Sequence, residues 1–140
     1  MPTNLAMTTY YATAIGDSQF RATPYTPPST WYLGLNTADQ TDAGTAAEVS
    51  TSGTGYARQE IAFSARGGDG YYPSSGAVEF GAALAAWPEV HSFTLYDAST
   101  GGHALLYCHL EDSDGNETTK TLGIDDTLNV AAGAFKAKFD

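Results

Sequence analysis

Residues 91–111, HSFTLYDASTGGHALLYCHLE, constrain the fold most: two runs of strand-like alternation are joined by ASTGG. Glycines at such a junction supply the positive φ that a tight reversal needs, so the segment reads as a β-hairpin. In that hairpin Phe93 and Leu95 share one face, and Leu106, Cys108 and Leu110 form the matching face of the returning strand. A hairpin with one apolar face must be covered by further strands or a helix.

The rest of the chain supplies strands. Trp31, Leu33 and Leu35 alternate with Tyr32 and Gly34, which predicts one buried and one looser face. In YARQEIAF, Ala57, Ile61 and Phe63 share one face while Arg58 and Glu60 share the other. Val78 with Phe80, and Leu128 with Val130, continue the two-residue period. At the end, Phe135, Ala137 and Phe139 alternate with Lys136 and Lys138, lysines that discourage edge pairing. SDGN at 113–116 is a further turn signal, leading into ETTKTL. No helical pattern is sustained after residue 16, and about eight strands separated by turns predict an all-β fold. The expected architecture is one antiparallel β-sandwich, jelly-roll or immunoglobulin-like.

Residues 1–28 read as an N-terminal arm or short helix with a proline-rich linker, ahead of a sandwich spanning residues 29–140. The tyrosines of the arm must dock either on their own domain or on a neighbour. The first fifteen read either as a short helix or as a loosely ordered arm. For the helix, Thr3 is the N-cap, Met7, Tyr10, Tyr11 and Ala14 recur at helical spacing, and Gly16 is the stop. From Phe20 to Ser29 the chain, with RATPYTPPS, reads as a proline-broken, extended linker.

Composition narrows the function. Acidic residues outnumber basic ones by 16 to 6, for a net charge of −10, which disfavours polyanionic partners such as nucleic acid or an anionic membrane. Cys108 is the single cysteine, so no intrachain disulfide forms. The N-terminus lacks a basic region followed by an apolar core, and no run is long enough to span a bilayer. Synthesis in the cytoplasm is expected.

DAGTAAEVSTSGTGYARQ, residues 42–59, has the glycine and threonine content of a phosphate cradle but no following Lys-Ser/Thr and no helix start. It reads as a long connection between strands, in which Arg58 ties a loop carboxylate, Asp42 or Glu48. Calcium ligands are available at Asp39 and Asp42, and at Glu111, Asp112, Asp114 and Asn116, but without EF-hand spacing; they read as solvated turn residues. Of the three histidines, His103 and His109 stand too far apart on one extended strand to share a metal. His91 and His103 could meet across the hairpin, yet a third ligand is not evident, so no metal site is expected. No G-x-S-x-G elbow occurs, and Cys108 in an apolar strand reads as core thiol rather than nucleophile. An acidic-site hydrolase would need a carboxylate pair that the sequence does not single out. No cofactor and no catalytic residue is expected.

Aromatic residues in loops and on outer strand phases point to protein contact. The candidates are Tyr10, Tyr11, Phe20, Tyr25, Tyr71 and Tyr72. Trp87, with Tyr71 and Tyr72, would alternatively offer stacking platforms for a host-surface sugar.

Three segments together resemble a family of small structural proteins of tailed bacteriophages, labelled tail-fibre, minor structural or head decoration proteins. They are WYLGLNTADQTDAGTAAEVSTSGTGYARQEIAF, VEFGAALAAWPEVHSFTLYDASTGGHALLYCHL and IDDTLNVAAGAFKAKFD, in family order over residues 30–140. The departures are the N-terminus and RGGDGYYPSSG at 66–76. The resemblance implies a non-enzymatic component on the outside of the virion, assembled as a homo-oligomer with major capsid or tail proteins. An extendable, tyrosine-bearing arm favours capsid decoration (cement); the alternatives are a tail or fibre-base role and host-glycan binding.

Overall fold

The computed structural model describes residues 5–112 and 114–138. Among them nine strands and one helix run in the order β1 (Ala6–Met7), α1 (Thr9–Phe20), β2 (Trp31–Asn36), β3 (Gln59–Ile61), β4 (Tyr71–Pro73), β5 (Val78–Phe80), β6 (Ser92–Tyr96), β7 (Ala104–His109), β8 (Leu128–Val130) and β9 (Lys136–Lys138). The principal sheet has the order β1-β7-β6-β2-β3, and every pairing is antiparallel. Two short ladders, β4-β9 and β5-β8, supply the opposing layer. The result is the expected all-β, sandwich-like fold.

The hairpin register follows from its alternation. Phe93 lies opposite Cys108 and Leu95 opposite Leu106, with a bulge beside Tyr96. These residues, with Leu33 and Leu35, form the inner face of the principal sheet. Against them pack Val78, Phe80, Leu128 and Val130 of the β5-β8 ladder and Phe135, just ahead of β9. Phe93 meets Phe135 edge-on at 5.8 Å between ring centroids, a geometry that aromatic quadrupoles favour. Trp87 closes the core, with its indole N–H donating to the Thr54 carbonyl at 2.9 Å.

Four expectations are corrected. The helix is capped by Thr8, whose hydroxyl accepts from the Tyr11 N–H (3.2 Å) and donates to the Ala104 carbonyl (2.7 Å); Thr3 lies outside the described residues. Gly16 does not stop the helix, because its φ is not positive and the left-handed turn comes only at Ala22, after Arg21, where φ reaches 54°. Phe20 thereby belongs to α1 rather than to the linker. Ala57 is exposed and the Arg58 side chain is only 8% exposed, so the expected alternation does not begin until β3. ETTKTL forms only single bridges, Glu111 to Glu117 and Val90 to Lys120. Phe139 falls outside the described residues.

The expected looser face of β2 is also buried. Gly34, Asn36, Ser92 and Thr94 are covered, since the connection from Thr37 to Arg58 lies across them and satisfies their polar groups. Gln40 is its keystone. Its amide donates to Thr94 Oγ1 (3.1 Å), its Oε1 accepts from the Ala46 N–H (2.9 Å), and its own N–H donates to Ser92 Oγ (3.2 Å). Among the described residues, no buried side-chain nitrogen or oxygen lacks a hydrogen-bond partner. Such completeness makes a polar layer tolerable inside a small domain.

Candidate contact surface and polar clusters

The connection over the outer face delivers four side chains in succession: Asp39, Gln40, Asp42 and Glu48. Glu48 receives a fork from Arg58, with Nε to Oε2 at 3.0 Å and Nη2 to Oε1 at 2.7 Å. Arg58 Nη1 also donates to the carbonyls of Ala98 (2.7 Å) and Gly101 (2.8 Å) in the β6–β7 turn. Its guanidinium lies 3.5 Å from the Tyr96 ring centroid. The planar, delocalised cation can satisfy all these partners at once, which a lysine could not. Tyr56 completes the cluster by donating to Glu48 Oε2 (2.6 Å) while accepting from the Leu35 N–H (2.9 Å). Burial and then Glu48 push the Tyr56 hydroxyl pKa upward, so it remains a donor. Gly34 is required beneath: a Cβ there would stand 2.6 Å from Tyr96 Cε2. Of the two carboxylates expected for Arg58, the structure brings Glu48 to it, whereas Asp42 accepts from the Tyr107 hydroxyl.

Asp39 enters a different setting. His109 Nδ1 lies 3.2 Å and His91 Nδ1 3.7 Å from its Oδ1. Glu117 Oε1 is 3.8 Å from His109 Nε2 on the far side of that ring. Ligand atoms of Asp39, His109 and Glu117 all lie within 4.8 Å of one another, a grouping able to hold a metal ion. The expected juxtaposition of His91 and His103 is corrected. Because Ser92 lies opposite His109, His91 falls beside the end of β7, while His103 pairs with Asp97 (3.2 Å) near the turn. The hairpin register contains this signal; the approach of Asp39 and Glu117 does not follow from any local pattern.

The aromatic candidates separate into different environments. Phe20 is 91% exposed at the end of α1. Tyr10 is exposed at one edge and stacks on His103 with centroids 3.9 Å apart. Tyr11 is buried, edge-on to Trp31 and Tyr25, and Tyr25 is half-buried. Burial, followed by the charges of Tyr11, Tyr10 and Asp97, pushes the Tyr25 pKa up to about 12. Tyr71 lies under the ammonium of Lys138 at 5.0 Å, and Tyr72 helps line a small apolar cavity with Tyr11, Trp31 and Phe63. Sequence reasoning missed Leu84 and Ile124, 68% and 66% exposed. Their backbones are brought together by the Asp125 N–H donating to the Ala83 carbonyl at 2.8 Å.

The chemistry expected of the remaining residues changes in one respect. Trp87, at 2% exposure, is no sugar platform but a core residue. Cys108 is buried and its thiol pKa is pushed upward by burial, which suits an inert core thiol. Asp112 Oδ1 accepts from the N–H groups of Asp114 (2.9 Å) and Asn116 (3.0 Å), so this carboxylate organises its own turn. Among the described residues no helix is long and apolar enough to cross a membrane.

Comparison with known proteins gives one family. The model of the family described as Gp80, Podophage GP4 fiber I protein gp80, matches residues 6–138. No curated protein matches the chain.

Proposed function

The chain belongs to the podophage GP4 fiber I protein gp80 family, and from that premise we propose that it is a structural subunit of the tail fibre itself. Membership makes it a phage structural protein associated with other virion components; its position within the particle is the further step. The observation that carries the fibre position is the match over residues 6–138 to a family described as fiber protein. Head decoration, favoured by the idea of an extendable N-terminal clamp, loses that physical support. Residues 6–7 pair with β7, the Thr8 N–H donates to the Leu105 carbonyl at 2.9 Å, and Tyr11 sits in the core.

Attachment is assigned to apolar residues standing out from an acidic surface. With a net charge of −10, copies repel one another at long range, and short-range burial must supply adhesion. Phe20 is the strongest anchor, because 91% exposure leaves nearly its whole ring available to a neighbour. Leu84 with Ile124 forms a second contact on another edge. Tyr10, Tyr25, Tyr71 and Tyr72 are assigned to the rims of such contacts. Tyr11 acts indirectly, by fixing α1 to the sheet.

A phage carrying Phe20→Glu in this gene tests the proposal. Tails separated from heads should retain wild-type chain, and the variant should be depleted from tails while the isolated protein melts as wild type. Recovery of the wild-type chain with the heads would overturn the fibre position and favour decoration.

A further inference from the structure

We propose that Asp39, His109 and Glu117, joined by the neighbouring His91, form a binding site for a divalent transition-metal ion of the zinc class at one end of the principal sheet. The four residues arrive from separate segments, yet consecutive backbone hydrogen bonds hold those segments side by side. The His91 N–H donates to the Asn36 carbonyl (2.8 Å), the Leu110 N–H to the His91 carbonyl (3.1 Å), and the Thr118 N–H to the Leu110 carbonyl (2.9 Å). His91 is itself a candidate, Leu110 and Thr118 adjoin His109 and Glu117, and Asn36 stands three residues before Asp39. The arrangement is therefore built by the sheet, not by chance contact of long side chains.

The distances suit coordination. Ligand atoms each about 2.1 Å from a tetrahedral zinc stand about 3.4 Å from one another. Asp39 Oδ1 is 3.2 Å from His109 Nδ1, near that spacing, and the ligand atoms of Asp39, His109 and Glu117 lie within 4.8 Å of one another. His91, whose Nδ1 is 3.7 Å from Asp39 Oδ1 but outside that grouping, must turn its 34% exposed side chain to join it. Glu117, with a 70% exposed side chain, has room to turn from His109 Nε2 and complete the set. When His91 ligates through Nδ1, its Nε2–H faces Glu89 Oε1, 3.6 Å away, the outer carboxylate that commonly orients a ligating imidazole. A cavity of about 200 Å³ bounded by these four residues, Thr118 and Thr119 leaves space for the ion and a water.

Ligand type selects the metal. Two imidazoles favour zinc, nickel or copper over calcium and magnesium, which prefer sets made wholly of oxygen. Two carboxylates match the divalent charge. Bound there, the ion would cross-link the connection after β2, the approach to β6, the end of β7 and the segment after the 112–116 turn. Its role is to brace one end of the subunit, and the proposal stands whether that subunit sits on tail or head.

Isothermal titration of zinc chloride into the metal-stripped full-length chain tests it. One ion per chain is expected, with a melting temperature that rises on addition and no comparable response to calcium. His109→Ala and Asp39→Asn should each weaken zinc binding by at least about tenfold, and His103→Ala should leave it unchanged. Should either variant fail to fold, zinc-induced NMR shifts in wild-type protein must still centre on the His91 and His109 rings. Absence of binding at submillimolar zinc, equal loss in His103→Ala, or shifts centred on another residue would overturn the site.

Discussion

The Glu48 and Asp39 carboxylates come from one connection over one sheet face, yet they meet opposite fates. Glu48 is enclosed: the Arg58 fork takes both its oxygens, Tyr56 adds a third donor, and the Tyr96 ring covers the guanidinium. Asp39 remains 58% exposed and faces two imidazoles and an open cavity. An acid whose lone pairs are already filled by protein donors can only hold the fold together. One that shares its oxygen with metal-ligating side chains at a rim is positioned to take something from solution. The contrast therefore separates a structural cluster from a binding cluster, and it can be attacked from either side.

The largest effect should come from Arg58→Met, which keeps much of the side-chain volume and removes the fork. Breaking a fully buried ion pair costs about 3–5 kcal/mol, so with Glu48 a quarter exposed a loss of about 2–3 kcal/mol is expected. Denaturant unfolding measures it; unchanged stability would mean that the Glu48 cluster is not structural. Gly34→Ala attacks the same cluster from below. Its Cβ would meet the Tyr96 ring, which Arg58 pins, and overpacking of this kind costs about 1–3 kcal/mol. If Gly34→Ala unfolds at the wild-type midpoint, the close packing of Tyr96 against β2 is wrong.

A smaller, pH-dependent effect is expected at Asp42, between the two clusters along the connection. Burial and then the Asp42 interaction push the Tyr107 pKa up to about 12, above its ordinary value of 10. Because the folded-state value is the higher one, the proton is held more tightly in the folded protein. Its stabilising contribution is complete below about pH 10 and disappears as pH rises towards 12. Tyr107→Phe should flatten that part of the stability curve, with the remaining decline traceable to Tyr25 and the other raised tyrosines. A curve unaltered by the substitution would remove Tyr107 from the account.

The smallest effect belongs to the open cluster. Without added metal, His109→Ala should change stability by no more than about 0.5 kcal/mol, as for an ordinary surface substitution. A loss as large as that of Arg58→Met would erase the distinction between the clusters.

Much of the fold was legible because apolar side chains report their own phase. Phe93 with Leu95, Leu106 with Cys108, Val78 with Phe80 and Leu128 with Val130 all alternate as their burial requires. The helix boundaries were not, since Thr8 is chosen as cap by its reach to Ala104, a residue ninety-six positions away. Burial of the outer sheet face was likewise hidden. Gly34, Asn36, Ser92 and Thr94 look solvent-facing until Gln40 and the carbonyls of Ala38 and Ala46 arrive over them to satisfy the polar side chains. Arg58 could be narrowed to two carboxylates by scarcity of basic residues, but only the path of the chain selects Glu48. The Asp39 cluster needed both the hairpin register and two loop paths, and only the first is encoded locally.

The functional account rests on where the subunit sits and which edge it offers to its neighbours. A cryo-electron microscopy map of the intact particle tests both together. The account predicts density for this sandwich within the tail fibre, with the Phe20 end of α1 buried against an adjoining subunit. Density on the head shell, or a fibre position with Phe20 facing solvent, would contradict it.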